Sequence, residues 1–181
     1  MTLQASDSLL LIVDMQEKLM PAMSGGERAL ARAVRLAQAA RLLEVPVVAT
    51  EQQPEKIGAT VEPLRASIQR TLAKTHFGAT DQPGFDGWLP AARKTVLVAG
   101  VEAHVCVLQT VMGLARMGYR AVLVADACAS RSPADHHAAL RRARAHGADI
   151  VTVEMAMFEW LGHCEHPRFR ELLQLVKQNT D

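Results

Sequence analysis

Short apolar runs recur along the chain, and amphipathic stretches with a helical period separate most of them. Residues 8–13, SLLLIV, have strand length and stop at Asp14. Residues 15–26 contain Pro21 and the Gly25-Gly26 pair and read as a loop. From 27 to 44 the period is helical: Leu30, Ala33, Ala37 and Ala40 share one face, and Arg28, Arg32, Arg35 and Gln38 another. A second strand is predicted over 45–50, with Pro46 near its start where a missing donor is tolerated. A charged loop follows over 51–58, then a short strand over 71–74, then an irregular stretch over 76–88 with a helical turn near 85–89. The run TVLVA over 95–99 predicts a buried strand, followed by a helix over 104–118 that Gly118 stops. A further strand over 120–125 ends at Asp126. Ser132-Pro133-Ala134-Asp135 is a helix start, with Ser as N-cap and Pro at the first position. That helix runs to Gly147, and a strand over 150–153 precedes closing helices over 155–162 and 168–177.

Runs that are apolar on both faces, alternating with amphipathic helices, predict a parallel sheet covered on both sides. The expected fold class is therefore α/β, as one domain over 1–181, with no repeat, linker or low-complexity segment. The composition fits: 49% apolar and 22% charged residues in 181 is the profile of a globular chain with a substantial core. A net charge of +1 offers no electrostatic case for nucleic acid or an anionic membrane as partner. The start MTLQASDS lacks a basic segment, and SLLLIVD is too short and ends in Asp, so neither a signal peptide nor a membrane span is expected. Cys106, Cys128 and Cys164 are an odd count at wide spacing, which argues against a disulfide framework and for the cytoplasm.

In open parallel sheets ligands bind beyond the carboxyl ends of the strands. Asp14 follows the first predicted strand, Thr50-Glu51-Gln52 the second, Lys74 the third, and Cys106 lies just past the fourth. Singly, Asp14 is a turn cap, Lys74 a solvated lysine and Cys106 a small buried hydrophobe. Together an acid, a base and a thiol on one sheet edge read as a site, with the thiol in the first turn of a helix, where the dipole favours an anion. Glu51 and Gln52 line or order the pocket, Phe77 supplies an apolar wall, and His104 is a polar group beside the nucleophile rather than its base. Arg131 either binds a carboxylate or pairs near the Ser132 helix start. The adjacent His136 and His137 point about 100° apart on a helix and do not chelate together. The His163-Cys164-Glu165-His166 cluster lies away from the strand edge and lacks the spacing of a zinc site.

The segments LLIVDMQ at 10–16, VVATEQ at 47–52, KTHFGA at 74–79, GVEAHVCVLQT at 100–110 and VADACASR at 124–131 resemble the isochorismatase-like hydrolase superfamily. That superfamily includes nicotinamidases and N-carbamoylsarcosine amidase. The resemblance implies a three-layer α/β/α fold around a six-stranded parallel, Rossmann-like sheet. It implies a catalytic triad of Asp14, Lys74 and Cys106, a non-proline cis peptide at Val101–Glu102, and an oxyanion site around Val101, Glu102 and Cys106. It places Thr50, Glu51, Gln52, Phe77 and His104 around the substrate. Nicotinamidases carry an Asp-x-His…His metal site in the loop after the second strand. Here residues 51–58, EQQPEKIG, hold no histidine, so no metal and no cofactor is expected, and nicotinamide is a poor fit. Isochorismatases proper hydrolyse a vinyl ether without a cysteine, so Cys106 points to acyl C–N chemistry. The expected function is metal-independent cysteine hydrolysis of a small amide, imide or carbamoyl bond through a thioacyl intermediate. The alternatives are isochorismatase-type hydrolysis of a non-amide, a non-catalytic binding protein, and a thiol redox sensor. A homo-oligomer is implied as well, the sequence adding only Phe158, Trp160 and Leu161 as either an apolar patch or core. An activated thiol would alkylate at about pH 6, ahead of Cys128 and Cys164.

Overall fold

The computed structural model describes residues 1–90 and 92–177; Ala91 and residues 178–181, at the end of the expected unit, lie outside the described residues. The chain runs β1 (Ser8–Val13), α1 (Gly26–Leu42), β2 (Val47–Gln52), the single turns α2 (Pro54–Ile57) and α3 (Glu62–Arg65), and β3 (Arg70–Lys74). It continues through α4 (Phe85–Trp88), β4 (Thr95–Val101), α5 (Leu108–Arg116), β5 (Arg120–Ala129) and α6 (Pro133–Ala145). The last elements are β6 (Asp149–Val151), α7 (Val153–Leu161) and α8 (Phe169–Lys177). The strands make a six-stranded sheet in the order β3-β2-β1-β4-β5-β6, and every pairing is parallel. This is the predicted α/β fold.

The alternation of side chains along each central strand divides the core in two. Leu10 and Ile12 of β1 join Leu97 and Ala99 of β4 under α1, α7 and α8. Leu9, Leu11 and Val13 join Val96 and Val98 under α4, α5 and α6. Every residue of β1 and of β4 is buried, which is why both read as continuous apolar runs rather than as alternating ones. The order also reverses direction between β1 and β4, and such a switch point opens a crevice at the carboxyl ends of the strands. Asp14 and Cys106 flank that crevice from either side. At the same place Gly100 adopts φ +145, and a Cβ there would stand 2.1 Å from the Val13 carbonyl oxygen. Only glycine lets the two strands close up there.

Several boundaries differ from the expectations for identifiable reasons. The helix predicted from 104 begins as a π-helical turn, Ala103–Val107, and becomes α-helical only at Leu108. The strand predicted to stop at 125 continues to Ala129 across a shift in the ladder between Val98 and Gly100, so Asp126 lies inside β5. The Asp126 carboxylate accepts the Val153 N–H at 2.8 Å, with the Arg32 guanidinium 3.9 Å away, and serves the start of α7 rather than the active edge. β6 ends at Val151 because Thr152 caps α7, its hydroxyl accepting the Met155 N–H at 3.3 Å. Ser132 precedes α6 as predicted, but its side chain makes no capping bond. Trp160 and Leu161 are core, with the Trp160 indole N–H donating to Ser8 Oγ at 2.9 Å, whereas Phe158 is partly exposed. Among the described residues no helix is long and apolar enough to cross a membrane.

Candidate active site

Asp14 leaves β1 with φ +52, a left-handed conformation that Asp tolerates better than most residues, and its side chain turns inward to complete burial. Its backbone N–H donates to the Thr50 carbonyl at 3.1 Å, continuing the β1–β2 ladder by one step. The Thr50 hydroxyl donates to Asp14 Oδ1 at 2.7 Å, and Lys74 Nζ donates to Oδ2 at 2.6 Å. The charges of that carboxylate and of Lys74 both act on the Cys106 thiol, in opposite directions. Asp14, Lys74 and Cys106 thus meet in one cluster, each delivered by the end of a different strand.

Lys74 is 2% exposed, and a buried ammonium is stable only when its donors are satisfied. Besides Asp14 it meets Gln52 Oε1 at 2.7 Å and the carbonyls of His76 and Phe77 at 3.1 and 3.2 Å. Gln52 is itself held: its side-chain amide donates to the Thr75 carbonyl at 2.9 Å, and its backbone N–H donates to Gln16 Oε1 at 2.7 Å. Gln16 donates in turn to the carbonyls of Gln52 and Gly58 at 3.0 and 2.6 Å. Thr50 and Gln52 therefore hold the acid and the ammonium in place. Glu51 is used elsewhere, its Oε1 accepting both the N–H and the hydroxyl of Thr60 at 2.7 Å. Gln16 was not singled out from the sequence, although it stands two residues past the acid in the quoted LLIVDMQ segment.

Cys106 is 7% exposed in the π-helical turn, and its thiol is pushed up to about 12 from an ordinary 9.0. Burial is the largest cause, the negative charge of Asp14 the next, and only Lys74 pulls in the opposite direction. This corrects the expectation of a thiolate stabilised by the helix start and alkylating near pH 6: the resting group is the thiol, buried and under the negative charge of Asp14. Cys128 is also pushed up to about 12 by burial and points its sulfur at the Val98 carbonyl, away from the cluster, while Cys164 is exposed.

The peptide bond between Val101 and Glu102 is cis. The Glu102 carbonyl accepts the N–H groups of Val105 and Val107 at 3.1 and 3.2 Å, which folds the turn around Cys106. Phe77 stands 56% exposed next to the loop that grips Lys74. His104 does not reach the cluster; its Nδ1 lies 3.0 Å from Ser130 Oγ, and its ring borders a cleft of about 380 Å³ with Gln109, Met112, Arg116 and Arg142, which Cys106 does not line. Arg131 pairs with Glu102, the residue after the cis bond, and not with the start of α6. His136 is bonded to the Ala125 carbonyl at 3.1 Å, and no group of three or more His, Cys, Asp and Glu side chains among the described residues is arranged to hold a metal.

With an acid, a buried ammonium and a thiol meeting at the switch point, the comparison with known proteins becomes decisive. Residues 8–155 match the model of the isochorismatase domain. The chain belongs to the isochorismatase family. It is 38% identical over 180 residues to isochorismatase domain-containing protein 2 of Pongo abelii, the match covering 94% of this chain and 83% of that protein. Among solved structures it is similar to the MAR1 ribonuclease of Caenorhabditis elegans, with 32% identity, a TM-score of 0.93, and 100% and 95% of the two chains covered. The YcaC product of Escherichia coli, described as an octameric hydrolase of unknown specificity, shares the fold at 22% identity and a TM-score of 0.86, over 97% and 96% of the chains.

Proposed function

We propose that this isochorismatase-family protein is a cysteine hydrolase that cleaves a small amide, imide or carbamoyl C–N bond, with Asp14, Lys74 and Cys106 as its triad. The observation that carries the reading is a buried thiol within reach of the charge of a carboxylate that a buried ammonium already holds. A thiol pushed up to about 12 does not attack as a free thiolate, so proton removal and attack are coupled. Asp14 takes the proton as sulfur adds to the carbonyl carbon, and Lys74, relieved of its carboxylate partner, pairs with the developing negative charge. Backbone N–H groups of the turn from Glu102 to Cys106, other than the Val105 N–H already given to the Glu102 carbonyl, receive the oxyanion, for which one lost donor typically costs about 3–4 kcal/mol. Asp14 then protonates the departing amine, the C–N bond breaks, and an S-acyl enzyme remains. Water, losing its proton to Asp14, releases the acid and restores the thiol.

Phe77 supplies an apolar wall for a small substrate, while Thr50 and Gln52 act through the residues they hold. The mechanism routes no step through a metal or cofactor, and the protein would work as a homo-oligomer in the cytoplasm. A redox-sensor role is disfavoured by the raised thiol, since the thiolate is the form that peroxide oxidises. The name of the Caenorhabditis neighbour makes RNA a necessary arm of any screen, although a net charge of +1 gives a phosphate backbone little attraction. The deciding experiment is a panel of amides, imides, carbamoyl compounds and a short RNA, followed by product release and intact mass. Turnover with an acyl adduct on the wild type, both absent in Cys106→Ala, is the expected result. Turnover that survives Cys106→Ala overturns the proposal.

A further inference from the structure

The VADACASR segment matched the family, yet its last two residues have no part in the chemistry above. In the structure they face the nucleophile turn. Cys128 and Ala129 of β5 pair with Gly100 and Val101 of β4, so Ser130 and Arg131 emerge beside Glu102. Arg131 donates twice to one oxygen of Glu102, from Nε at 3.0 Å and from its backbone N–H at 3.1 Å. Ser130 meets His104 at 3.0 Å and is itself anchored, its carbonyl accepting the Ser24 N–H at 3.0 Å. Two consecutive residues therefore grip positions 102 and 104, either side of the point where the turn sets out toward Cys106. The grip reaches the backbone through Glu102, whose carbonyl holds the N–H groups of Val105 and Val107. Rotation of Glu102 would release both.

Resting on the hydrolase reading, we propose that Arg131 is a positioning residue: by locking Glu102 it holds the turn's N–H groups in the direction a substrate oxyanion requires. The ion pair is unequal in the way such a role needs. The Glu102 side chain is 14% exposed and that of Arg131 66%. Burial works to raise the Glu102 carboxyl, but the two hydrogen bonds and the charge of Arg131, with His104 adding to them, hold it below the usual carboxylate range. The carboxylate thus stays charged and bound to Arg131. An exposed partner contributes little to global stability, so removing it tests geometry rather than folding.

Two reagents separate these effects. p-Nitrophenyl acetate acylates Cys106 through a tetrahedral oxyanion: the S–C bond forms, the ester C–O bond breaks, p-nitrophenolate leaves and the thiol proton passes to Asp14. Iodoacetamide alkylates the same sulfur by displacing iodide at a saturated carbon, with no oxyanion to hold. In Arg131→Ala, acylation of Cys106 is expected to slow by about 10- to 100-fold, the scale of a misdirected donor or a displacement of about 1 Å. Alkylation of Cys106, located by mass spectrometry, and thermal unfolding stay at the wild-type values, and Arg131→Lys falls between the two. If acylation and alkylation slow together, Arg131 is only shaping the turn and the proposal is overturned; unchanged acylation in Arg131→Ala overturns it equally. A wild type that is alkylated at Cys106 but never acylated overturns the hydrolase reading, and this proposal with it, before any variant is compared.

Discussion

Lys74 and Asp14 are a buried pair 2.6 Å apart, and such a pair punishes the loss of one member more than the loss of both. Lys74→Met should destabilise the protein by about 3–5 kcal/mol in urea unfolding, because it strands the Asp14 carboxylate out of water. Adding Asp14→Asn, which suits the positive φ at that position, should recover part of that loss. A double variant weaker than Lys74→Met would contradict the pairing. Cys106 predicts a pH dependence of opposite origin. The unfolded chain releases the thiol proton above its ordinary 9.0, while the native state keeps it to about 12. The native state therefore binds more protons in that window, and stability falls as pH rises, by up to about 1.4 kcal/mol per pH unit for this one group. Cys106→Ala should flatten the decline between those limits by that amount, with Cys128 contributing equally to both proteins; identical slopes would refute it. The three residues of the proposed triad were legible as neighbours in the sequence because each stands at or just past the end of a predicted strand. The state of the thiol was not: it depends on burial and on the distance to Asp14, neither of which residue order contains. Glu51 shows the same limit, since nothing in the text distinguishes a pocket carboxylate from one bonded to Thr60.

At the scale of elements, the sheet was legible where both faces of a strand are covered and less so at its ends. The extension of β5 to Ala129 crosses Asp126, a residue that reads as a stop, and follows from the ladder shift between Val98 and Gly100. The π-helical entry to α5 is likewise invisible in a pattern read at 3.6 residues per turn. The closeness of β1 and β4 can be tested at Gly100. Gly100→Ala would drive a Cβ to 2.1 Å from the Val13 oxygen and should cost about 3 kcal/mol or more, with activity falling alongside. Gly147→Ala is the control: it also has positive φ, +88, but nothing lies within 4 Å, so only the backbone strain of about 1 kcal/mol applies. Equal losses in thermal or urea unfolding would show that crowding at the switch point is not what Gly100 relieves.

For the molecule as a whole, the fold class was the most legible feature, because six covered strands with helical spacers admit few arrangements. The proposed assembly has no signature in residue order, because an apolar side chain that faces outward reads like one that faces the core. Phe77, Met155 and Phe158 are exposed by 56%, 45% and 38%. The proposed homo-oligomer would cover whichever of these side chains lies at its interface. Light scattering on the eluting protein should give a multiple of 19.7 kDa; a single species at 19.7 kDa would exclude assembly under those conditions. The β1–β4 seam has a last implication, for the protein as it is made. Asp14 is synthesised early and Cys106 much later, and they meet only when the two central strands have paired across that interval. A chain cut short before β4 lacks Cys106, the proposed nucleophile. A full chain that has not closed the seam carries its cysteine apart from the acid that would take its proton. On the proposed mechanism, reactivity would thus arrive only with a complete centre of the sheet.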